Sequence, residues 1–304
     1  MRRAVLVAAL AAFGAPWACS PMPASAPPPR SPVFVLDLDR YGPIGGERTV
    51  IEWREMSVAG TPFRLREERE LVWDVEVRGE RNGTEMRQTL RRVALRSDGR
   101  TLVDVRDPHR VPVVGVHVDR AGNVTGIEGA DEVAKLLERS AAPDAQKVVA
   151  EAFAERALRT YLTGRFDLLY RDIIGRPTEP GSAWDGTDPD ELLVARHVRV
   201  DALERCGDAE CARVVATYDV DQRYAVAAAG GLLTAYAAQK GIDPTTLRLT
   251  DVKAKVGDVI RVEPTGMRYH GADFDEDLSL TVAGGNVEWK VTLRGQRRVA
   301  IAWK

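Results

Sequence analysis

The chain has 304 residues, 44% of them hydrophobic, and is therefore long enough to bury one large core or two ordinary ones. Its 43 basic and 45 acidic residues give a formal net charge of −2. This balance excludes bulk charge as an argument for nucleic acid or an anionic membrane surface as a partner, and either would need a local patch.

The N-terminus has the pattern of a secretory signal peptide. Arg2 and Arg3 supply positive charge, residues 4–13 (AVLVAALAAF) form a short apolar segment, and small residues follow before Cys19. The apolar segment is shorter than the roughly 20 residues that a helix needs to span a bilayer. A signal peptide at residues 1–18 is therefore predicted.

Ala18 and Cys19 resemble the end of a bacterial lipobox, in which signal cleavage leaves a diacylglycerol-modified cysteine at the new N-terminus. The resemblance implies an exported envelope lipoprotein, held at a membrane through Cys19 on the periplasmic side or at the cell surface. Residues 19–32 are rich in proline and are predicted to form an extended tether. Secretion without a lipid, after cleavage behind Ala18 or Ala26, is the alternative.

The β-patterned segments lie in two halves, near residues 33–124 and 192–304. Apolar residues alternate with charged ones, as at Trp73 and Val75, which is typical of strands with one buried face. Turn signals such as Asp98-Gly99 separate consecutive strands without βαβ spacing, so an antiparallel sheet is predicted. The predicted strands cover residues 33–39, 49–58, 63–78, 84–96, 101–106, 111–118, 192–205, 212–224, 256–262, 278–282, 287–293 and 299–303.

Charged residues on these strands are interpreted as a solvated face. A run of arginines follows a strand rich in glutamate and aspartate, so pairing across neighbouring strands accounts for both without a ligand. The acidic segment 273–277 (DFDED) is interpreted as a solvated turn, because it lacks the glycine and the glutamate that an EF-hand loop requires. The arginines of the run are Arg87, Arg91, Arg92, Arg96 and Arg100.

The longest helical pattern lies between the β-patterned halves. Apolar residues including Phe153 and Tyr161 form a stripe across residues 143–164, which predicts a central amphipathic helix. A shorter helix is predicted at residues 131–139. Helices of this kind can cover the apolar face of a sheet.

A later helix and a loop are predicted from composition. Residues 225–240 are rich in alanine and are predicted to form a helix weakened by Gly230 and Gly231, or else an irregular segment that is split there. Residues 176–190 are rich in proline, glycine and aspartate and are predicted to form a loop, on which Trp184 is a candidate contact residue.

The three cysteines fall into two groups, one near the N-terminus and a pair in the second β-patterned half. Cys19 belongs to the lipobox, while Cys206 and Cys211 form a close pair between two strand-like segments, where a hairpin turn brings them to bridging distance. A disulfide is predicted, because a redox site is more often CxxC and a metal site needs further ligands close by. No metal site is predicted from the scattered histidines, which are His109, His117, His197 and His270.

The predicted fold class is α+β, a mainly antiparallel sheet with a few covering helices near residues 131–164 and 225–240, in one unit over residues 33–304. A tethered envelope protein of this kind resembles the half-barrel lipoproteins and lipid-carrier proteins of the bacterial envelope, which hold acyl chains on a concave apolar face. The resemblance implies a half-barrel sheet. It also implies a ligand cavity lined by Trp53, Trp73, Phe153, Tyr161 and Trp289, which are otherwise ordinary core residues.

Three classes of function remain open. The leading hypothesis is a non-enzymatic envelope lipoprotein that is structural or interacts with other envelope proteins. The second is a carrier of lipid or another apolar ligand. The third is an enzyme with an unrecognised site, which is disfavoured because the sequence has no GxSxG, Walker, HExxH or SxxK motif. No cofactor and no nucleic-acid partner are expected.

Overall fold

A twelve-stranded antiparallel sheet dominates the structure, a computed structural model that describes residues 32–37, 44–80, 83–106, 112–146, 149–150, 159, 172–186, 193–284 and 287–304. The strands are β1 (Ile44–Val58), β2 (Arg64–Glu80), β3 (Gly83–Ser97), β4 (Arg100–Arg106), β5 (Val113–Asp119), β6 (Val124–Glu128), β7 (Ala183–Gly186), β8 (Leu193–Cys206), β9 (Ala209–Val220), β10 (Arg248–Val262), β11 (Tyr269–Gly284) and β12 (Val287–Trp303). Helices whose bounds lie within the described residues are α1 (Ala130–Ser140), α2 (Gln222–Gln239) and a 3-10 helix (Pro244–Thr246).

The strand order joins the two halves of the chain at the centre of the sheet. The order is β6-β5-β3-β2-β1-β12-β11-β10-β9-β8-β7, and β4 also pairs with β3. The first long strand therefore pairs with the last, as Val50 does with Val299. The sheet is open, since β6 and β7 end its two edges. The predicted β-rich antiparallel fold is confirmed.

One face of the sheet, here called the inner face, carries the core. Alternate residues of the central strands, such as Val50 and Met56 on β1 and Leu278 and Leu280 on β11, are fully buried on this face. Helix α1 packs near β4 and β5, and α2 packs near β9 and β10. Side chains of both helices join the same hydrophobic cluster as the strands. The other side, here called the outer face, carries most of the charged residues.

The helix boundaries follow from local chemistry. Helix α1 begins after Gly129, which has a φ of 75°, and a Cβ there would lie 2.0 Å from the carbonyl oxygen of Val113. Helix α2 is capped by Asp221, whose side chain accepts hydrogen bonds from the backbone N–H groups of Arg223 and Tyr224. It continues unbroken through the glycine pair, so the predicted helix is confirmed and the split segment is wrong. No helix in the described part of the chain is both long and apolar enough to cross a membrane.

Two sequence-based predictions about loops are wrong. Within the predicted loop 176–190, Ala183–Gly186 forms β7, because Trp184 pairs with Val198 of β8 and packs against the core. The acidic segment 273–277 is part of β11 and not a turn. Arginines on the neighbouring strands neutralise it, since both Arg261 and Arg298 donate to Asp273.

The arginine run pairs across strands as the sequence predicts. Arg92 donates to Glu70 at 2.9 Å, and Arg91 forms an ion pair with Asp74 of the same neighbouring strand. Arg100 instead contacts Asp144. Both cross-strand pairs are at least partly exposed and need no ligand.

Several predicted features fall outside the described residues. They include residues 1–31, with the signal peptide and Cys19, and most of the central helix, with Phe153 and Tyr161. Residues 31–304 form one compact unit. In place of the predicted strand 33–39, Val33 and Val35 make isolated bridges.

Candidate functional site

A cleft of about 470 Å³ lies between α2 and the beginning of β10, and we call it the α2 cleft. Helix α2 contributes Val226 and Leu233 to its lining, and the segment that enters β10 contributes Leu247 and Leu249. Val282 of β11 completes the apolar lining. Leu233 and Val282 are buried, whereas Val226 is 53% exposed, so the cleft opens from the core to the surface.

A glycine keeps this cleft open. Gly230 lines the cleft, and a Cβ built on it would meet no atom within 4 Å. Glycine inside a helix costs roughly 0.5–1 kcal/mol relative to alanine, and no close contact requires it at this position. The neighbouring Gly231 also faces open space but is exposed and does not line the cleft.

The rim of the α2 cleft is polar. The Gln222 side chain donates to the carbonyl oxygen of Leu249 at 2.9 Å, which fixes one edge. Asp243 accepts from the backbone N–H of Thr245 at 2.9 Å and so caps the 3-10 helix at the other edge. Arg248 is exposed at the rim and makes no ion pair with any described residue. The cleft thus combines an apolar floor with an exposed cation that has no ion-pair partner among the described residues.

Aromatic rings fix α2 against the sheet behind the cleft. Tyr236 is buried, with its ring centroid 4.6 Å from that of Phe63 and 5.7 Å from that of Trp289, both in edge-to-face geometry. Such pairs contribute about 0.5–1.5 kcal/mol each beyond area burial. They hold α2 against Trp289 of β12 and against Phe63, the residue before β2.

A buried ionic cluster ties the other end of α2 to the inner face. Arg54 Nε lies 2.9 Å from Glu276 Oε1, and the Tyr224 hydroxyl of α2 donates to Glu276 Oε2 at 2.9 Å. Gly295 makes room for this carboxylate, since a Cβ there would lie 2.4 Å from Glu276 Oε1. Burial, and then the Glu276 charge, raise the pKa of Tyr224, so its phenol remains a neutral donor.

A second cluster of buried polar side chains lies on the inner face. Arg196 is fully buried and donates to Asp172 at 2.8 Å, and the Tyr218 hydroxyl donates to Asp258. Burial, followed by the Asp258 charge, raises the pKa of Tyr218 well above its usual value. These carboxylates are held by arginine or tyrosine, which suits a structural role and not that of a general base. The interpretation of the charged strand residues as one solvated face is therefore wrong for these buried groups.

The tryptophans of the predicted cavity separate onto the two faces. Trp73 is buried on the inner face of β2, and Trp289 lies behind α2 against Tyr236. Trp53 lies on the outer face of β1, where the Arg66 guanidinium stacks 5.1 Å from its ring centroid. Trp53 lines an outer groove of about 580 Å³ together with charged residues of β10, β11 and β12.

The lining of the α2 cleft was missed by the sequence analysis. Gly230 appeared only as a weak point in a helix, and Arg248 fell outside any predicted strand. The available signal was a glycine within a predicted helix, where glycine lowers helix stability.

Comparisons with known proteins give no family for this chain: no protein-family model matches it, and no curated protein matches it. Among solved structures, lipovitellin, from a study of lipid–protein interactions in that protein, is 15% identical with a TM-score of 0.45. The match covers 86% of this chain and 25% of the lipovitellin chain. DynF from the dynemicin biosynthesis pathway of Micromonospora chersina is 13% identical with a TM-score of 0.18, over 94% of this chain and 92% of DynF. Both TM-scores are below 0.5, so neither match is used to infer a fold or a function for this chain.

Proposed function

We propose that this protein is a carrier, and not an enzyme, and that it binds an amphipathic ligand with an acyl chain and an anionic head in the α2 cleft. A fatty acid and a phospholipid share this chemistry. The main support for the proposal is Arg248, which is exposed at the polar rim above the apolar floor of the cleft and makes no ion pair within the described part of the chain.

The dimensions of the cleft suit a small apolar ligand. Its volume of about 470 Å³ falls within the range of roughly 300–1,000 Å³ that is typical of small-molecule sites. Each methylene that leaves water contributes about 0.8 kcal/mol, so the chain supplies most of the affinity. An ion pair at an exposed arginine contributes at most about 1 kcal/mol, so Arg248 mainly orients the head toward solvent.

The proposal includes an exported location and a membrane anchor at Cys19. The sequence features that support it are the signal-peptide pattern and the alanine–cysteine pair at its end. In this proposal the open sheet curves as a half-barrel, and its inner face backs the helix that forms the cleft. A carrier anchored to a membrane lies next to a source of amphipathic ligand.

Filling the cleft tests the proposal. We expect wild type to bind palmitate, measured by isothermal titration calorimetry, and Gly230→Leu to lose this binding because its side chain occupies the ligand volume. The matched control is Gly231→Leu, which makes the same change one residue away, outside the cleft. Leucine is a better helix former than glycine by about 0.8–1 kcal/mol, so both variants should fold at least as well as wild type.

The head group is tested with hexadecanol, which has the chain of palmitate but no charge. Arg248→Gln should weaken palmitate binding up to about fivefold, which corresponds to roughly 1 kcal/mol, and leave hexadecanol binding unchanged. Equal palmitate affinity in wild type and Gly230→Leu would contradict the proposed site. A wild type that binds neither compound would favour a structural or interaction role in the envelope.

A further inference from the structure

The fold brings His270 next to the Cys206–Cys211 disulfide. The two cysteines close the β8–β9 hairpin, where Cys211 is fully buried. The register between β10 and β11 shifts after Arg261, and this irregularity lies beside His270. One ring nitrogen of His270 and both sulfur atoms all lie within 4.8 Å of one another. This juxtaposition is independent of the α2 cleft.

A buried carboxylate orients the histidine ring. His270 Nε2 lies 2.7 Å from Glu263 Oε1, and the Glu263 side chain is only 8% exposed. Arg268 also donates to Glu263 Oε1, at 2.5 Å, and holds that carboxylate in place. A histidine that ligates a metal usually donates its other ring N–H to a carboxylate or carbonyl in this way. With Nε2 bonded to Glu263, Nδ1 is the nitrogen that remains for a ligand.

We propose that Cys206, Cys211 and His270 form a binding site for a thiophilic divalent metal ion, with Zn²⁺ as the best fit, when the disulfide is reduced. Thiolate and imidazole are the ligands that Zn²⁺ prefers, and a site with three protein ligands leaves a fourth position for solvent. The oxidised and the metal-bound forms are then alternative states of one site, because both use the same sulfur atoms.

A dithiol can reduce the disulfide and so convert the oxidised state into the form that binds the metal. The dithiol gives two electrons and two protons to the Cys206–Cys211 bond, which becomes two thiols, and is itself oxidised to a disulfide. Zn²⁺ then displaces the two thiol protons, which pass to solvent, and accepts the neutral imidazole of His270 as its third ligand. The metal crosslinks the β8–β9 hairpin to β11, where the disulfide linked only β8 and β9.

Cobalt binding tests the site, because Co²⁺ bound by thiolates has intense ligand-to-metal charge-transfer and visible d–d absorption. The mature chain is reduced with a dithiol, freed of reductant without oxygen and titrated with Co²⁺. We expect one Co²⁺ per reduced chain, displacement by Zn²⁺, and no binding to the oxidised chain. Far-UV circular dichroism checks that the reduced chain keeps its sheet. Loss of the sheet on reduction would overturn the proposal, because the site needs the native hairpin.

Variants test whether His270 binds the metal in addition to the two thiolates. Glu263→Gln should weaken Co²⁺ binding roughly 10- to 100-fold with little change in the spectrum, as expected for a positioning residue. His270→Ala should weaken it further and change the d–d bands, because a ligand is lost. His197→Ala is the control, since His197 is exposed and paired with Asp185 and Asp219. Identical affinity and spectrum in wild type and His270→Ala would refute the site, as would a reduced wild type that binds no Co²⁺.

Discussion

Removing the charge of Glu276 should destabilise the protein by about 3 kcal/mol, the lower end of the roughly 3–5 kcal/mol that breaking a buried ion pair costs. The Glu276 side chain is 0% exposed, forms an ion pair with Arg54 and accepts a hydrogen bond from Tyr224. Glu276→Gln keeps the shape but leaves the Arg54 charge without its closest partner. We take the lower end because Arg54 is 29% exposed and has Glu52 at 3.7 Å as a second partner.

Equilibrium unfolding in urea measures this cost. The comparison requires that the unfolding free energy depend on urea concentration with the same slope in wild type and variant. The matched control is Glu55→Gln, which removes the partner of Arg64. Arg64 is 66% exposed, and surface ion pairs contribute about 0–1 kcal/mol. The double variant Arg54→Met/Glu276→Met should regain part of the loss, because it leaves no unpaired charge.

A loss of stability in Glu276→Gln no larger than that in Glu55→Gln would contradict this prediction. In that case water reaches the Arg54 site and the pair is not buried in solution. Because the Tyr224 hydroxyl of α2 donates to Glu276, we also expect Glu276→Gln to weaken palmitate binding in the α2 cleft. Unchanged palmitate affinity in a destabilised Glu276→Gln would mean that this contact does not position the helix.

Three further predictions concern charge, covalent bonds and location. For Asp273, burial raises the pKa but hydrogen bonds from Arg261 and Arg298 outweigh it, so the pKa is lowered. Its ionised form therefore stabilises the protein above the ordinary carboxyl pKa of about 3.8, and this contribution is lost as the pH falls through the folded-state pKa. Asp273→Asn should cost stability at neutral pH in urea unfolding and progressively less below that value, and a constant difference would contradict this. Removing the disulfide with Cys206→Ala/Cys211→Ala should cost less than the roughly 3 kcal/mol of a 15-residue loop, because the bridged residues are only 5 apart in sequence, and a larger loss would refute a purely local role. Cys19→Ala should move the protein from the membrane fraction to the soluble fraction, and a wild type that is already soluble would exclude the anchor.

Local patterns in the sequence predict much of the fold. Alternation and turn signals identify hairpins such as β2–β3, because neighbouring strands depend on residues close in sequence. The pairing of β1 with β12 is different, since it joins the two ends of the unit, and no local signal specifies it. The strands also extend beyond their predicted ends. For example, β10 begins at Arg248 because it pairs with β11 over its whole length.

The buried ionic residues show why the inner face could not be predicted from composition. Glu276 lies in an acidic segment that suggests a solvated turn, yet it is in phase with the buried Leu278. Arg54 is likewise in phase with Met56. The charges of Glu276 and the partly buried Arg54 are compatible with burial only because β1 and β11, from opposite ends of the chain, place them next to each other. Similarly, His270 is remote from Cys206 and Cys211 in sequence, so the site it forms with them depends on the sheet.

Native mass spectrometry of the protein extracted from membranes shows whether the α2 cleft holds a ligand. Wild type and Gly231→Leu should each carry a non-covalent mass that collisional activation releases. Gly230→Leu should lack this mass while keeping the same covalent mass at its N-terminus. If all three proteins retain the same ligand, or if wild type carries none, the α2 cleft is not a carrier site.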